Sequence, residues 1–194
     1  MTSLQIAEHL GALLALLYLL LVTRRSWTAW PLYIASSCLY LPVFWYSHFY
    51  GDALLQFYFI GMGVYSWFKW KEEGAEIKIV SWPVRYHCYV IFCLAVGTCL
   101  FGYGLSGTQA GNYGYFDAFI TVASITTTVL TTWKVLEGWW YWIVTDLLAT
   151  VIFWHRGFSF ITVFLYVLYA VLSIRALLAW RRAYQSSSKS PHHA

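Results

Sequence analysis

Apolar blocks of about 18 to 22 residues, separated by short polar breaks, run the length of the chain. This is the length at which one helix crosses a hydrocarbon core. Seven blocks predict seven helices, at about 5–23, 30–46, 51–70, 84–104, 115–133, 137–155 and 158–180. Pro31 suits the first turn of the second helix, and Pro42 predicts a kink or an early end. Gly61 and Gly63 predict a close helix approach, or a ligand against the backbone, in the third. Residues 69–82 form the longest hydrophilic loop, and the Gly/Ser/Asn-rich stretch 105–114 reads as another. Residues 134–138 and 155–157 predict very short turns. Residues 183–194 are Ser-rich and polar and predict a disordered tail.

Numbering the loops alternately separates the charges. One side receives Arg24, Arg25, Lys69, Lys71, Lys78, Arg85, Lys134, Arg181, Arg182 and Lys189, and the other only Arg156. The positive-inside rule then places the N-terminus outside and the C-terminus in the cytoplasm. Composition agrees with a bilayer setting. The 194 residues are 60% hydrophobic and 10% charged, which excludes a water-soluble globule. The net charge of +4 does not indicate nucleic acid, because the basic residues sit between spans. The first block ends at Arg24 and Arg25 without a small-residue cleavage site, so it is not a signal peptide. Cys38, Cys88, Cys93 and Cys99 lie in apolar blocks without metal-ligand spacing, and read as buried core thiols.

A weak internal echo is present. Trp30 and Trp139 begin corresponding blocks. Gln56 and Tyr166 lie 110 residues apart, as do Trp70 and Trp180. The expected fold class is an all-α polytopic membrane protein with helices in a 3+1+3 arrangement. The first repeat is 1–70. Residues 71–114 supply a loop, a linker helix and an outer loop, and the second repeat is 115–182. An odd number of intervening spans makes the repeats parallel, a transporter architecture.

The candidate chemistry gathers in the second repeat. Asp146 is the one ionisable residue in the middle of the sixth block. A carboxylate at bilayer depth faces a protein interior, a cavity or a partner. No Lys or Arg occupies the middle of any predicted span. A charged Asp146 therefore calls for a cationic ligand, a hydroxyl or water; packing specificity is the bland alternative. Trp139 and Trp142 share its helix face, at minus seven and minus four. An aromatic face beside a carboxylate suits a flat cation, although Trp139 serves equally as a core or interface residue. Asp117, Thr121, Ser124, Thr128 and Thr131 make a polar stripe that predicts a cavity-lining fifth helix. Threonine hydroxyls returning to their own backbone are the competing explanation. Gln56 can recognise an amide or sugar hydroxyl, or bond a neighbouring helix. Tyr166 is a candidate aromatic lining residue. Lys134 and Glu137, at the inner turn, form either a gate or a structural latch. No catalytic motif, cofactor site or metal site is present, so a facilitator without its own energy source is the consistent reading.

Several of these pieces together resemble the PnuC family of bacterial vitamin transporters. They are Asp52-Ala-Leu-Leu-Gln56, Tyr65-x-Trp67, Trp70, Asp117-Ala118, Ser124-Ile125, Lys134-x-x-Glu137-x-Trp139-x-x-Trp142 and Trp180, and they span nearly all of the chain. The resemblance implies a SWEET-like seven-helix core, a homotrimer, and facilitated diffusion of a vitamin that a cytoplasmic kinase then traps by phosphorylation. It implies ligand contacts at Gln56, Trp139, Trp142 and position 146. Nicotinamide riboside carriers of the family tend to have asparagine where Asp146 stands. A carboxylate suits the pyridinium of nicotinamide riboside or the thiazolium of thiamine, and disfavours neutral riboflavin. Nicotinamide riboside is the favoured cargo, with thiamine the close alternative.

Overall fold

The computed structural model describes residues 3–46, 50–74, 77–106, 114–157 and 160–189. Seven helices hold nearly all of them: α1 (Ser3–Thr23), α2 (Ala29–Tyr46), α3 (Tyr50–Glu73), α4 (Val84–Ser106), α5 (Gly114–Thr132), α6 (Gly138–His155) and α7 (Phe160–Lys189). Among the described residues there is no strand, only an isolated bridge between Val80 and Val135. Segments of α1, α4 and α7 meet the length and apolarity needed to cross a membrane on their own composition. The outward faces are apolar, with Tyr89, Phe92 and Leu100 of α4 all exposed. Such a surface is stable against lipid rather than water. The protein is an all-α polytopic membrane protein.

The helix boundaries fall close to the predicted blocks, with instructive differences. α2 passes through Pro42 and continues to Tyr46. Apolar surroundings make helix termination costly, so a spanning helix absorbs a proline. α7 runs to Lys189, into the stretch expected to be disordered. Ala179 to Gln185 are good helix formers, and Ser186 and Ser187 donate their hydroxyls back to the Ala183 carbonyl at 2.8 and 3.1 Å. Residues 190–194 of the predicted tail lie outside the described residues. The four cysteines correct a second expectation. All are exposed free thiols, not core residues. In a protein with an apolar outer face, an apolar block does not mark the protein interior.

The chain divides into two compact units, Met1–Lys78 and Ile79–Ala194. In the first, α2 packs against both α1 and α3. Ser36 donates to the Gly11 carbonyl at 2.8 Å, joining α2 to α1. Gly63 of α3 faces Ile34 of α2, and a Cβ there would lie 2.7 Å from Ile34 Cγ1. Gly61 faces open space, so only one of the two predicted glycines serves a close approach. Tyr18, Trp30, Tyr33 and Trp70 form the aromatic centre, with Trp30 and Trp70 edge-on at 5.3 Å.

In the second unit, α6 packs between α5 and α7, and α4 packs on α5. The loop before α4 is pinned to the α5–α6 turn. Val80 N–H donates to the Lys134 carbonyl at 3.0 Å, and Leu136 N–H returns to the Val80 carbonyl at 2.8 Å.

Candidate functional site

α6 presents Gly138, Trp139, Ile143, Thr145, Asp146, Ala149 and Ile152 to the interior of its unit. Asp146 therefore lies on a face made of small and apolar side chains, and is only 5% exposed. Its Oδ2 accepts one hydrogen bond, from the Ser173 hydroxyl of α7 at 3.2 Å. Ser173 is itself buried. Among the described residues no basic side chain forms an ion pair with Asp146. One neutral donor leaves much of a carboxylate's accepting capacity unused. A charged form at this depth calls for a further partner of positive or hydroxyl character.

The two tryptophans on this face have different surroundings. Trp139 is fully buried and stands edge-on to Trp180 of α7, with centroids 5.2 Å apart. Trp142 is half-buried, and its indole N–H donates to the Thr131 hydroxyl of α5 at 3.0 Å. That bond fixes the Trp142 ring one turn before the carboxylate. Of the two rings, Trp142 has the accessible surface for stacking.

The competing explanation for the α5 stripe holds for two of its five residues, Thr128 and Thr131, and for three threonines beside them. Thr126, Thr127, Thr128, Thr131 and Thr132 each donate to the carbonyl four residues back, at 2.7 to 2.9 Å. Their hydroxyl protons are spent inside the helix, which lets it sit in apolar surroundings. Each oxygen keeps accepting capacity, and Thr131 uses it for Trp142. Thr128 is buried, and Ser124, whose carbonyl receives the Thr128 hydroxyl, is half-buried. Asp117 departs from the stripe. It forms a two-oxygen pair with Arg156, at 2.8 and 3.0 Å, tying the start of α5 to the end of α6. Tyr166 of α7 packs against Phe153 at 4.9 Å and Tyr169 at 5.7 Å.

Glu137 receives the Ser81 hydroxyl and, at 3.2 Å, the Trp82 N–H, with His87 Nε2 at 3.7 Å. His87 Nδ1 meets the Tyr141 hydroxyl at 3.0 Å. Glu137 thus straps the loop before α4 onto the start of α6. Lys134 holds the α5–α6 turn with a φ of 59° and is nearly buried. Gln56 is in the other unit, buried on α3.

Sequence reasoning did not single out Ser173. The signal was available: Tyr166, Ser173 and Trp180 recur every seven residues on α7. The partners of Glu137 carried no comparable signal, since Ser81 and Trp82 lie more than fifty residues away in the chain.

The sequence model described as nicotinamide mononucleotide transporter matches residues 5–182. The riboflavin/roseoflavin transporter RibM of Streptomyces davaonensis is 25% identical, over 90% of this chain and 84% of its own. The nicotinamide riboside transporter PnuC of Escherichia coli is 23% identical, over 77% of this chain and 74% of its own. The crystal structure of the vitamin B3 transporter PnuC superposes with a TM-score of 0.77 at 21% identity, covering 93% of this chain and 82% of that one. That likeness is one of fold.

Proposed function

The chain belongs to the nicotinamide mononucleotide transporter family, the PnuC family of vitamin transporters, and from that premise we propose that it carries a cationic B-type vitamin, nicotinamide riboside, by facilitated diffusion. Family members of this kind are transporters, not enzymes. The observation that carries the choice of a cation is Asp146, buried on α6 with a single hydroxyl donor. A pyridinium ring beside it would complete the carboxylate's partners, and the half-buried Trp142 offers that ring a stacking face. Trp139 supports this face from within the core. Ser124, Thr128 and Tyr166 are further lining residues in this reading. Lys134 and Glu137 govern the inner turn, Glu137 through its strap to Ser81 and His87.

In the same reading the chain lies in the bacterial inner membrane, with its N-terminus outside and its C-terminus in the cytoplasm. It works as a homotrimer, and a cytoplasmic kinase phosphorylates the arriving vitamin and prevents its return. Thiamine is the alternative cationic cargo, since its thiazolium satisfies the same carboxylate. Riboflavin is a second reading, favoured by the likeness to RibM over 90% of the chain. Being neutral, it gains nothing from a charged Asp146.

Calorimetric titration of the purified protein with the three vitamins tests the choice. Nicotinamide riboside is expected to bind, with D146N weakening it by about tenfold to hundredfold, the range for a contact to a charged group. Binding of thiamine alone moves the cargo to the thiazolium vitamin. Tight riboflavin binding that D146N leaves unchanged removes the electrostatic argument altogether.

A further inference from the structure

An apolar groove of about 400 Å³ runs along the outside of α6 and α7, at the end where α6 begins and the membrane-length part of α7 finishes. Its floor is Ile143 and Leu177, both buried. Its rims are Trp140, Ile174 and Leu178, all between 43% and 58% exposed. On α7 the lining residues Ile174, Leu177, Leu178 and Arg181 follow one helix face, so an apolar run ends in a guanidinium. Arg181 is exposed and makes no ion pair among the described residues. Glu137 also borders the groove, but its two oxygens are engaged by Ser81, the Trp82 N–H and His87. Arg175 and Arg182 are exposed on the same helix. The groove therefore offers an acyl-compatible trough with a positive end, flanked by an exposed tryptophan.

We infer that this groove is a binding site for an anionic phospholipid. An acyl chain lies between Trp140, Ile143, Ile174 and Leu178, and the phosphate meets Arg181. The order of the parts along α7 matches that of a lipid. The apolar residues lie toward the helix middle and the cation toward its end, where headgroups lie. Basic pockets between helices at the membrane boundary recognise anionic headgroups, and tryptophan is at home at the same depth. The assignment rests on the membrane fold and is independent of which vitamin is carried.

Quenching of tryptophan fluorescence by brominated lipids tests it. The purified full chain is reconstituted in vesicles containing either brominated phosphatidylglycerol or brominated phosphatidylcholine. Trp140 emission is taken as the difference between the wild type and W140F. Phosphatidylglycerol is expected to be enriched about fivefold over phosphatidylcholine beside Trp140, the effect of one basic residue near an anionic headgroup. R181Q should abolish the preference and R181K should retain it. Equal quenching by the two lipids in the wild type would make the groove ordinary annular surface and overturn the assignment. So would a preference that survives R181Q. Absence of quenching by either lipid would mean that a second copy of the chain covers this face. Because the readout does not involve transport, it stands or falls separately from the vitamin reading.

Discussion

In the first unit, Trp70 of α3 stands edge-on to Trp30 of α2, at 5.3 Å and 84°. In the second, Trp180 of α7 stands edge-on to Trp139 of α6, at 5.2 Å and 85°. The turns that lead into these tryptophans also correspond. Arg25 and Lys134 both have φ of 59°. Ser26 N–H reaches back to the Leu21 carbonyl at 3.1 Å, as Val135 N–H reaches back to Leu130 at 2.9 Å. Helices α1–α3 and α5–α7 thus share a tryptophan pair and the turn that precedes it. They differ at the registers of Asp146 and Ser173. At the register of Asp146 the first unit has Ser37, and at the register of Ser173 it has Gly63. In the first unit Ile34 of α2 closes on the bare glycine; in the second a serine hydroxyl meets an acid. The tryptophan pair is kept for packing in both units, while the neighbouring registers differ in polarity.

The largest test of that equivalence is truncation of the tryptophan pair. W70A and W180A should each destabilise the protein by about 3–5 kcal/mol, the cost of emptying a large buried ring site. Thermal unfolding in detergent reads both. A large loss in one and a negligible loss in the other would break the correspondence.

Next come the registers at which the units diverge. G63A should cost about 1–3 kcal/mol by overpacking against Ile34, while G61A, facing open space, stays near neutral. The same melting assay separates them, and equal effects would mean that α2 and α3 are not held together at Gly63. S173A removes the hydroxyl from Asp146 and should cost about 1–3 kcal/mol through a less satisfied buried acceptor. If Asp146 binds the cargo, S173A should also alter vitamin affinity in the calorimeter. Unchanged affinity would assign the pair to packing alone.

The smallest effects belong to the turns. R25G and K134G each relieve a left-handed backbone and should change stability by no more than about 1 kcal/mol, since glycine also frees the unfolded chain. A difference between them in vitamin uptake sharpens the contrast. Loss of uptake in K134G alone would give the Lys134 side chain a role that Arg25 lacks, and equal uptake would leave both residues as turn formers.

The sequence by itself determined the seven helices, because span length and apolarity are local properties that the bilayer imposes on each segment in turn. It also carried a weak echo of a repeat, in the spacing of Trp30, Trp70, Trp139 and Trp180, and it exposed Asp146 as an isolated acid. Only the tertiary structure decided what those residues touch. It sent Trp139 into the core and left Trp142 accessible, since two rings one turn apart on the same helix meet different neighbours. It turned Thr128 and Thr131 of the α5 stripe back to their own helix carbonyls, and gave Asp117 to Arg156. It moved the cysteines from the expected core to the outer face, because hydropathy cannot tell lipid from protein interior. The partners of Glu137 and Asp146 come from distant stretches of chain, and no periodicity within one helix encodes a contact made by another.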